Sequence, residues 1–318
     1  MTQWIVVITE PINEDGVRLL EQRGVNVIHL PTGSKEDSLL EIAPRAHGLI
    51  TRGGIKVTRE IMAASPSLKT IGVHGIGCDH VDLVAAKDLG KIVFNTPDAL
   101  TVTVAEMTLA LMLSMIRRIS SADRAVRAGG WQRKHSDLIG IELKGKTVGL
   151  LGLGRIGTAT ANRLKAFEVE LLYWDILRYP EKEREIGIRR VDFPELLAMS
   201  DILSLHIPST AETHHLIGNK ELSSMKRGAM IVNSSRGSVI DETALIKALK
   251  SGQISSAALD VFEQEPLKPD NPLLEVDNVI LTPHLGGSSI EAMRRMATQL
   301  AQGITDVFEG RDPKNRVI

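Results

Sequence analysis

Residues Lys146–Asp175 read KTVGLLGLGRIGTATANRLKAFEVELLYWD. Thr147 to Leu151 has the short apolar pattern of a buried strand, and Gly152-Leu153-Gly154-Arg155-Ile156-Gly157 follows at once as G-x-G-x-x-G. Ile156, Ala159, Leu164 and Phe167 then recur at helical spacing, and a second apolar run, Val169–Trp174, ends on Asp175. Strand, glycine turn, helix, strand and acid in this order are the parts of a dinucleotide-binding unit. Gly152 permits the tight turn, Gly154 lets backbone approach a pyrophosphate, and Gly157 allows close helix–strand packing. The helix N-terminus offers amide N–H groups and partial positive charge to phosphates. Asp175 stands 23 positions after Gly152, where a carboxylate accepts from both ribose hydroxyls and repels a 2′-phosphate. That favours NAD, with NADP as the alternative through Arg178.

Working outward, strand-like and helical patterns alternate. Before residue 96 the strand-like runs are Trp4–Thr9, Val25–Leu30, Gly48–Arg52, Leu68–Val73 and Lys91–Asn95. Helical patterns between them carry cap candidates Asn13 and Thr58. Thr96-Pro97 reads as a hinge, followed by a long apolar helix over Thr101–Ile119. Beyond Asp175, helical patterns alternate with strands at Ile202–His206, Ala229–Asn233, Ser255–Leu259 and Val279–Leu281, and Ser288 is expected to cap a last helix through Phe308. The expected fold is α/β, two doubly wound parallel-sheet domains covered on both faces.

Composition sets outer limits. The 318 residues suffice for two ordinary domains, and 43% hydrophobic with 24% charged residues is typical of globular chains. Lys+Arg 38 against Asp+Glu 39 gives no basic surplus for nucleic acid or a membrane surface. No apolar run approaches a membrane span by this reading, and the N-terminus lacks a signal-peptide pattern. A single cysteine, Cys78, allows no internal disulfide and suggests no metal site. A cytoplasmic location is expected. The apolar helix and Trp131, stranded in the polar stretch WQRKHSD, suggest a homodimer.

Ligands of open parallel sheets bind beyond the carboxyl ends of the strands. Those ends carry Gly152, Asp175, His206, Arg236, Asp260 and His284, and in the first unit Arg52-Gly53 and Gly75-Ile76-Gly77. An isolated arginine or histidine is more often structural, but placement at successive strand ends of a cofactor unit reverses that preference. Oxidation of a 2-hydroxy acid removes a hydride from carbon and a proton from oxygen. His284 has the chemistry of the base, a nearby carboxylate (Glu265 or Glu263) would orient it, and Arg236 would grip the substrate carboxylate. Amides of Gly75-Ile76-Gly77 would take the other carboxylate oxygen.

The segments Gly77–Asp82, Asn95–Pro97, Val104–Glu106, Leu151–Gly157, Val232–Gly237, Ala258–Pro266 and Thr282–Gly286 together resemble the D-isomer-specific 2-hydroxyacid dehydrogenase family, most closely its phosphoglycerate dehydrogenase-like members. The resemblance implies a Rossmann NAD-binding domain, residues 99–286, inserted in a flavodoxin-like substrate domain, residues 1–98 and 287–318. It selects Glu265 over Glu263 as partner of His284, assigns the nicotinamide carboxamide to Asp260, and implies dimers formed through the segment holding the long helix and Trp131. The expected catalytic residues are Arg236, Glu265 and His284. The expected cofactor-binding set is Gly152, Gly154, Arg155, Ile156, Gly157, Asp175, His206, Pro208, Thr213, Ser235, Arg236, Asp260, His284 and Gly286. The expected substrate set is Arg52, Gly53, His74, Gly75, Ile76, Gly77 and Arg236.

Departures concern the substrate. Val73-His74 stands where phosphoglycerate dehydrogenases commonly carry an arginine, and Asn95–Thr101 is more similar to glyoxylate/hydroxypyruvate reductases. With Ile318 as the last residue, a C-terminal regulatory domain is expected to be absent. A third reading, an NAD(H)-sensing protein resembling transcriptional corepressors, is disfavoured by the balanced charge.

Overall fold

The computed structural model describes residues 4–318. The chain forms two compact units, one of residues up to Leu100 together with Gly287–Ile318, the other Thr101–Gly286.

The first unit holds a five-stranded parallel sheet of β1 (Ile5–Ile8), β2 (Asn26–His29), β3 (Gly48–Thr51), β4 (Thr70–Val73) and β5 (Ile92–Asn95), in order β2-β1-β3-β4-β5. This is the flavodoxin-like order. Alternate residues face opposite sides, so Val7, Leu49, Ile71 and Val93 enter one core and Val6, Ile8, Ile50 and Phe94 the other. Ala297, Leu300, Ala301 and Ile304 of the helix Ile290–Phe308 complete the second core. That helix lies close. A Cβ at Gly16 would come within 2.5 Å of the Ala297 carbonyl oxygen, and one at Gly303 would overlap the Phe94 ring. Its cap is Ser289, whose Oγ accepts from the Ala292 amide at 3.1 Å, one residue beyond the expected Ser288.

The second unit holds seven parallel strands: β6 (Thr147–Leu151), β7 (Glu170–Trp174), β8 (Arg189–Arg190), β9 (Ile202–Leu205), β10 (Ala229–Asn233), β11 (Ile254–Leu259) and β12 (Val279–Leu281). Their order, β12-β11-β10-β9-β6-β7-β8, reverses direction between β6 and β9, the switch point of a doubly wound sheet. Leu151, Leu203, Ile231 and Ala257 fill one face, and Val148, Leu150, Ile202 and Val232 the other.

Four expectations need correction. The helix expected from Thr101 begins at Pro97, which is the first residue of Pro97–Ile116, where a missing N–H costs nothing. The unit boundary falls at Leu100/Thr101 rather than 98/99, because the first helical turn belongs to the first core: Ala99 is fully buried and its carbonyl accepts from Arg295 Nε at 2.9 Å. The helix also stops before Ile119, at a left-handed Arg118 (φ 56°) that starts a new helix, Ile119–Arg127. Finally, Pro97–Ile116 is long and apolar enough by length and composition to cross a membrane, against the expectation that no such run exists. Half of that stretch is buried inside the fold, where Leu111, Met112, Met115 and Ile116 meet β6 residues Val148 and Leu150, so a helix apolar on every side is a core helix.

Candidate active site

The turn after β6 depends on glycine in three ways. Gly152 has φ +99°, and a Cβ there would lie 2.7 Å from the His206 carbonyl oxygen. A Cβ at Gly157 would overlap the Gly152 carbonyl oxygen, whereas one at Gly154 would have no neighbour within 4 Å. The open side at Gly154 is where a pyrophosphate can approach. The helix Arg155–Leu164, which begins with Arg155 and Ile156, has no side-chain cap at its N-terminus. Asp175, at the end of β7, lies against this turn: Oδ2 accepts from the Leu153 amide at 2.7 Å and Oδ1 from the Leu177 amide at 3.0 Å. These residues fit a dinucleotide.

After β9, His206 Nε2 is 2.9 Å from Ser204 Oγ, and burial lowers its pKa to about 4, so the ring is neutral. The loop beyond it is folded by Thr213, whose Oγ1 donates to the Pro208 carbonyl at 2.7 Å. After β10, buried Asn233 shapes the arginine turn. Its Oδ1 accepts from the Ser235 amide at 3.0 Å and Ser235 Oγ at 2.8 Å, and its Nδ2 donates to the Arg236 carbonyl at 2.9 Å. Arg236 is half-buried, with Nη1 donating to the Ser235 carbonyl at 2.7 Å. Next to it, a Cβ at Gly237 would overlap the backbone of Phe262 and approach the Glu263 amide within 2.5 Å, so the arginine turn rests directly on the segment leading to Glu265.

Glu265 and His284 meet. His284 Nδ1 is 2.7 Å from Glu265 Oε2, and Glu265 Oε1 accepts from the Phe262 amide at 3.0 Å. The hydrogen bond to Glu265 raises the His284 pKa, partial burial opposes it, Asp260 adds to the rise and Arg236 works against it. For Glu265, burial pushes upward but is outweighed by the His284 hydrogen bond and charge, which leave the carboxyl below its ordinary value. Each shift favours the charged form of its group. Glu263 is engaged elsewhere, accepting from the Glu242 amide at 2.8 Å and pairing with His215 Nε2 at 2.9 Å.

Asp260 is fully buried and holds the histidine turn. Oδ1 accepts from Thr282 Oγ1 at 2.6 Å and the Leu285 amide at 2.8 Å, and Oδ2 from the Gly286 amide at 2.7 Å. His284 itself has φ +53°, a left-handed conformation that a side chain rarely adopts, and its amide donates to the Asp260 carbonyl at 3.0 Å. The positioning by Asn233 and by the Asp260 carboxylate was not drawn from the sequence. An asparagine closing a strand before Ser-Ser is the signal for the first.

In the first unit, Arg52 Nη1 donates to the Pro11 carbonyl at 2.9 Å, and the amides of Arg52 and Gly54, flanking Gly53, donate to Glu10 at 3.0 and 2.5 Å. His74 is buried, and burial together with the Arg52 charge lowers its pKa to about 4. The 75–77 loop is pinned by Asn95 Nδ2, which donates to the Ile76 carbonyl at 2.7 Å, and by Thr96. The Gly75 amide donates to Thr96 Oγ1 at 3.1 Å and to the Val73 carbonyl at 2.9 Å, so it is committed internally, and only Ile76 and Gly77 remain as candidate anion-binding amides.

The sequence profile described as "D-isomer specific 2-hydroxyacid dehydrogenase, NAD binding domain" matches residues 109–286. The chain belongs to that family. A D-3-phosphoglycerate dehydrogenase of Archaeoglobus fulgidus is 41% identical over 312 residues, 98% of this chain and 59% of the relative. A glyoxylate reductase of Thermofilum pendens is 44% identical over 314 residues, 97% of this chain and 92% of the relative. Among solved structures, the TT0316 protein of Thermus thermophilus superposes with a TM-score of 0.93 at 37% identity, covering 99% of this chain and 100% of that one. The chain thus spans 59% of the length of the archaeal phosphoglycerate dehydrogenases it matches and nearly the whole of a glyoxylate reductase. The parallel two-unit fold is that of this dehydrogenase family.

Proposed function

We propose that this protein is an NAD-dependent dehydrogenase that interconverts a small D-2-hydroxy acid and its 2-keto acid. The observation that carries the reading is the Glu265–His284 pair at 2.7 Å, in a unit whose glycine turn fits a dinucleotide. With Nδ1 turned to Glu265, the Nε2 of His284 is the atom that gives a proton to the keto oxygen in reduction and takes it back in oxidation. Arg236 grips the substrate carboxylate and polarises the carbonyl. A bound nicotinamide supplies or removes the hydride. Asp260 contributes by fixing the turn that carries His284.

On the substrate side chain, phosphoglycerate and glyoxylate or hydroxypyruvate chemistry both belong to the relatives. Neutral His74, and the Arg52 and Gly54 amides already occupied by Glu10, favour substrates whose side chain carries no charge beyond the carboxylate. NADH absorbance against glyoxylate, hydroxypyruvate, phosphohydroxypyruvate and simple 2-keto acids tests the proposal. Turnover of none of them would point to an NAD(H)-sensing binding protein instead.

Asp175 is proposed to set NAD preference. Asp175→Ala should weaken NADH use by roughly 1–3 kcal/mol, the scale of charge-assisted hydrogen bonds. Comparison of NADH and NADPH kinetics in parent and variant decides it, and a parent preferring NADPH would reject the assignment.

A homodimer is proposed through the segment around Trp131, which is 60% exposed in a stretch that also exposes Ile119, Val126, Ile139 and Ile141. Packing within the chain does not cover this tryptophan. Light scattering at working concentration should give twice the chain mass, and a monomer removes the proposal.

A further inference from the structure

The end of β7 carries two opposed groups for the ribose 2′ position. Asp175 accepts from hydroxyls and repels a phosphate, whereas Arg178, three residues on, has the chemistry to pair with one. A third residue stands between these outcomes. Arg178 donates to Glu183 through both arms of its guanidinium, Nε to Oε1 at 3.1 Å and Nη2 to Oε2 at 3.1 Å. Glu183 Oε1 also accepts from Tyr173 Oη at 2.8 Å, and that oxygen in turn accepts from the Tyr179 amide at 3.1 Å. The carboxylate is held from within, its side chain 17% exposed, while the arginine is the outer partner at 64%. Two neighbouring cations are engaged at one atom each: Lys182 Nζ donates to the Leu153 carbonyl at 2.8 Å and Arg190 Nη2 to the Asp175 carbonyl at 3.2 Å.

We propose that Glu183 is a cofactor-specificity residue, engaging the Arg178 guanidinium in a two-armed pair so that a 2′-phosphate is refused both by repulsion from Asp175 and because Arg178 is already engaged. This rests on the dinucleotide reading of the β6 turn. It makes Arg178 a latent NADP determinant, with Glu183 setting whether it acts.

Glu183→Gln removes the charge but keeps an acceptor for Tyr173. NADH and NADPH affinities would be measured by calorimetric titration, without turnover, in the parent, Asp175→Ala, Asp175→Ala/Glu183→Gln, and the last with Arg178→Ala added. NADH binding should be the same in the double variant as in Asp175→Ala. NADPH should bind on the order of tenfold or more tighter in the double variant than in Asp175→Ala, and the gain should vanish with Arg178→Ala. Arg178→Ala alone in the parent should leave NADPH affinity unchanged, a test that needs no change at Glu183. The proposal is overturned by a double variant no better for NADPH than Asp175→Ala, by a gain that survives Arg178→Ala, or by NADPH loss in the single Arg178 variant. Failure of the parent to bind either dinucleotide overturns the cofactor reading beneath it, a distinct result.

Discussion

His284→Ala is expected to lose on the order of 10²–10⁴ in turnover, the usual scale for removing a general acid–base. Its partner gives a finer test. Glu265 raises the His284 pKa, so the ring stays protonated beyond the ordinary histidine range. Keto-acid reduction needs that proton and should fall as pH rises through the raised pKa. Oxidation needs the neutral ring and should gain over the same interval. Glu265→Gln removes the charge, lowers the histidine pKa and should move the falling limb of reduction to lower pH. Glu263→Gln should leave that limb in place, because Glu263 caps the Glu242 amide and pairs with His215. A limb that moves with Glu263 and not with Glu265 would reverse the assignment.

Gly237→Ala should be nearly as damaging as removal of Arg236, although position 237 has no chemistry of its own. The added methyl overlaps the Phe262 backbone. Backbone cannot swing aside like a long side chain, so the arginine turn and the segment bearing Glu265 must separate. A displacement of about 1 Å in a catalytic group costs roughly 10²-fold in rate, and overpacking of this kind costs about 1–3 kcal/mol in stability. Steady-state kinetics with a thermal melt checks both. A variant with parental kcat/KM would show that the two segments need not touch.

Much of the nucleotide unit was legible because its signals are local. A G-x-G-x-x-G between a strand and a helix, with an acid ending the next strand, encodes hand, spacing and charge within one contiguous stretch, and the surroundings of Gly152 and Gly157 match the turn and packing jobs read for them. Two nearby glutamates carry no such distinction. Residue chemistry left Glu263 and Glu265 equivalent, and they separate only through partners far along the chain, Glu242 and His215 for one and His284 for the other. The same holds for Asp260, whose three acceptor bonds go to a turn formed by β12. β8 was invisible because two arginines carry no apolar alternation. The helix start was placed late because proline breaks a helix inside but starts one well, and the choice depends on the buried first turn that follows.

The helix Ile290–Phe308 has a consequence for biosynthesis. The ribosome makes the chain from its N-terminus, so the first sheet emerges well before the helix that covers one of its faces. Until then Val6, Ile8, Ile50 and Phe94 lack Leu300 and Ile304 as neighbours. The span Thr101–Gly286 contains all seven strands of its sheet. Nascent chains stalled after Gly286 should therefore resist protease over Thr101–Gly286 and be cut within the first hundred residues. Equal protection of both would show that the early sheet is stable uncovered. A sheet made early thus waits for neighbours made nearly two hundred residues later, and its apolar face depends meanwhile on whatever in the cell shields nascent surface.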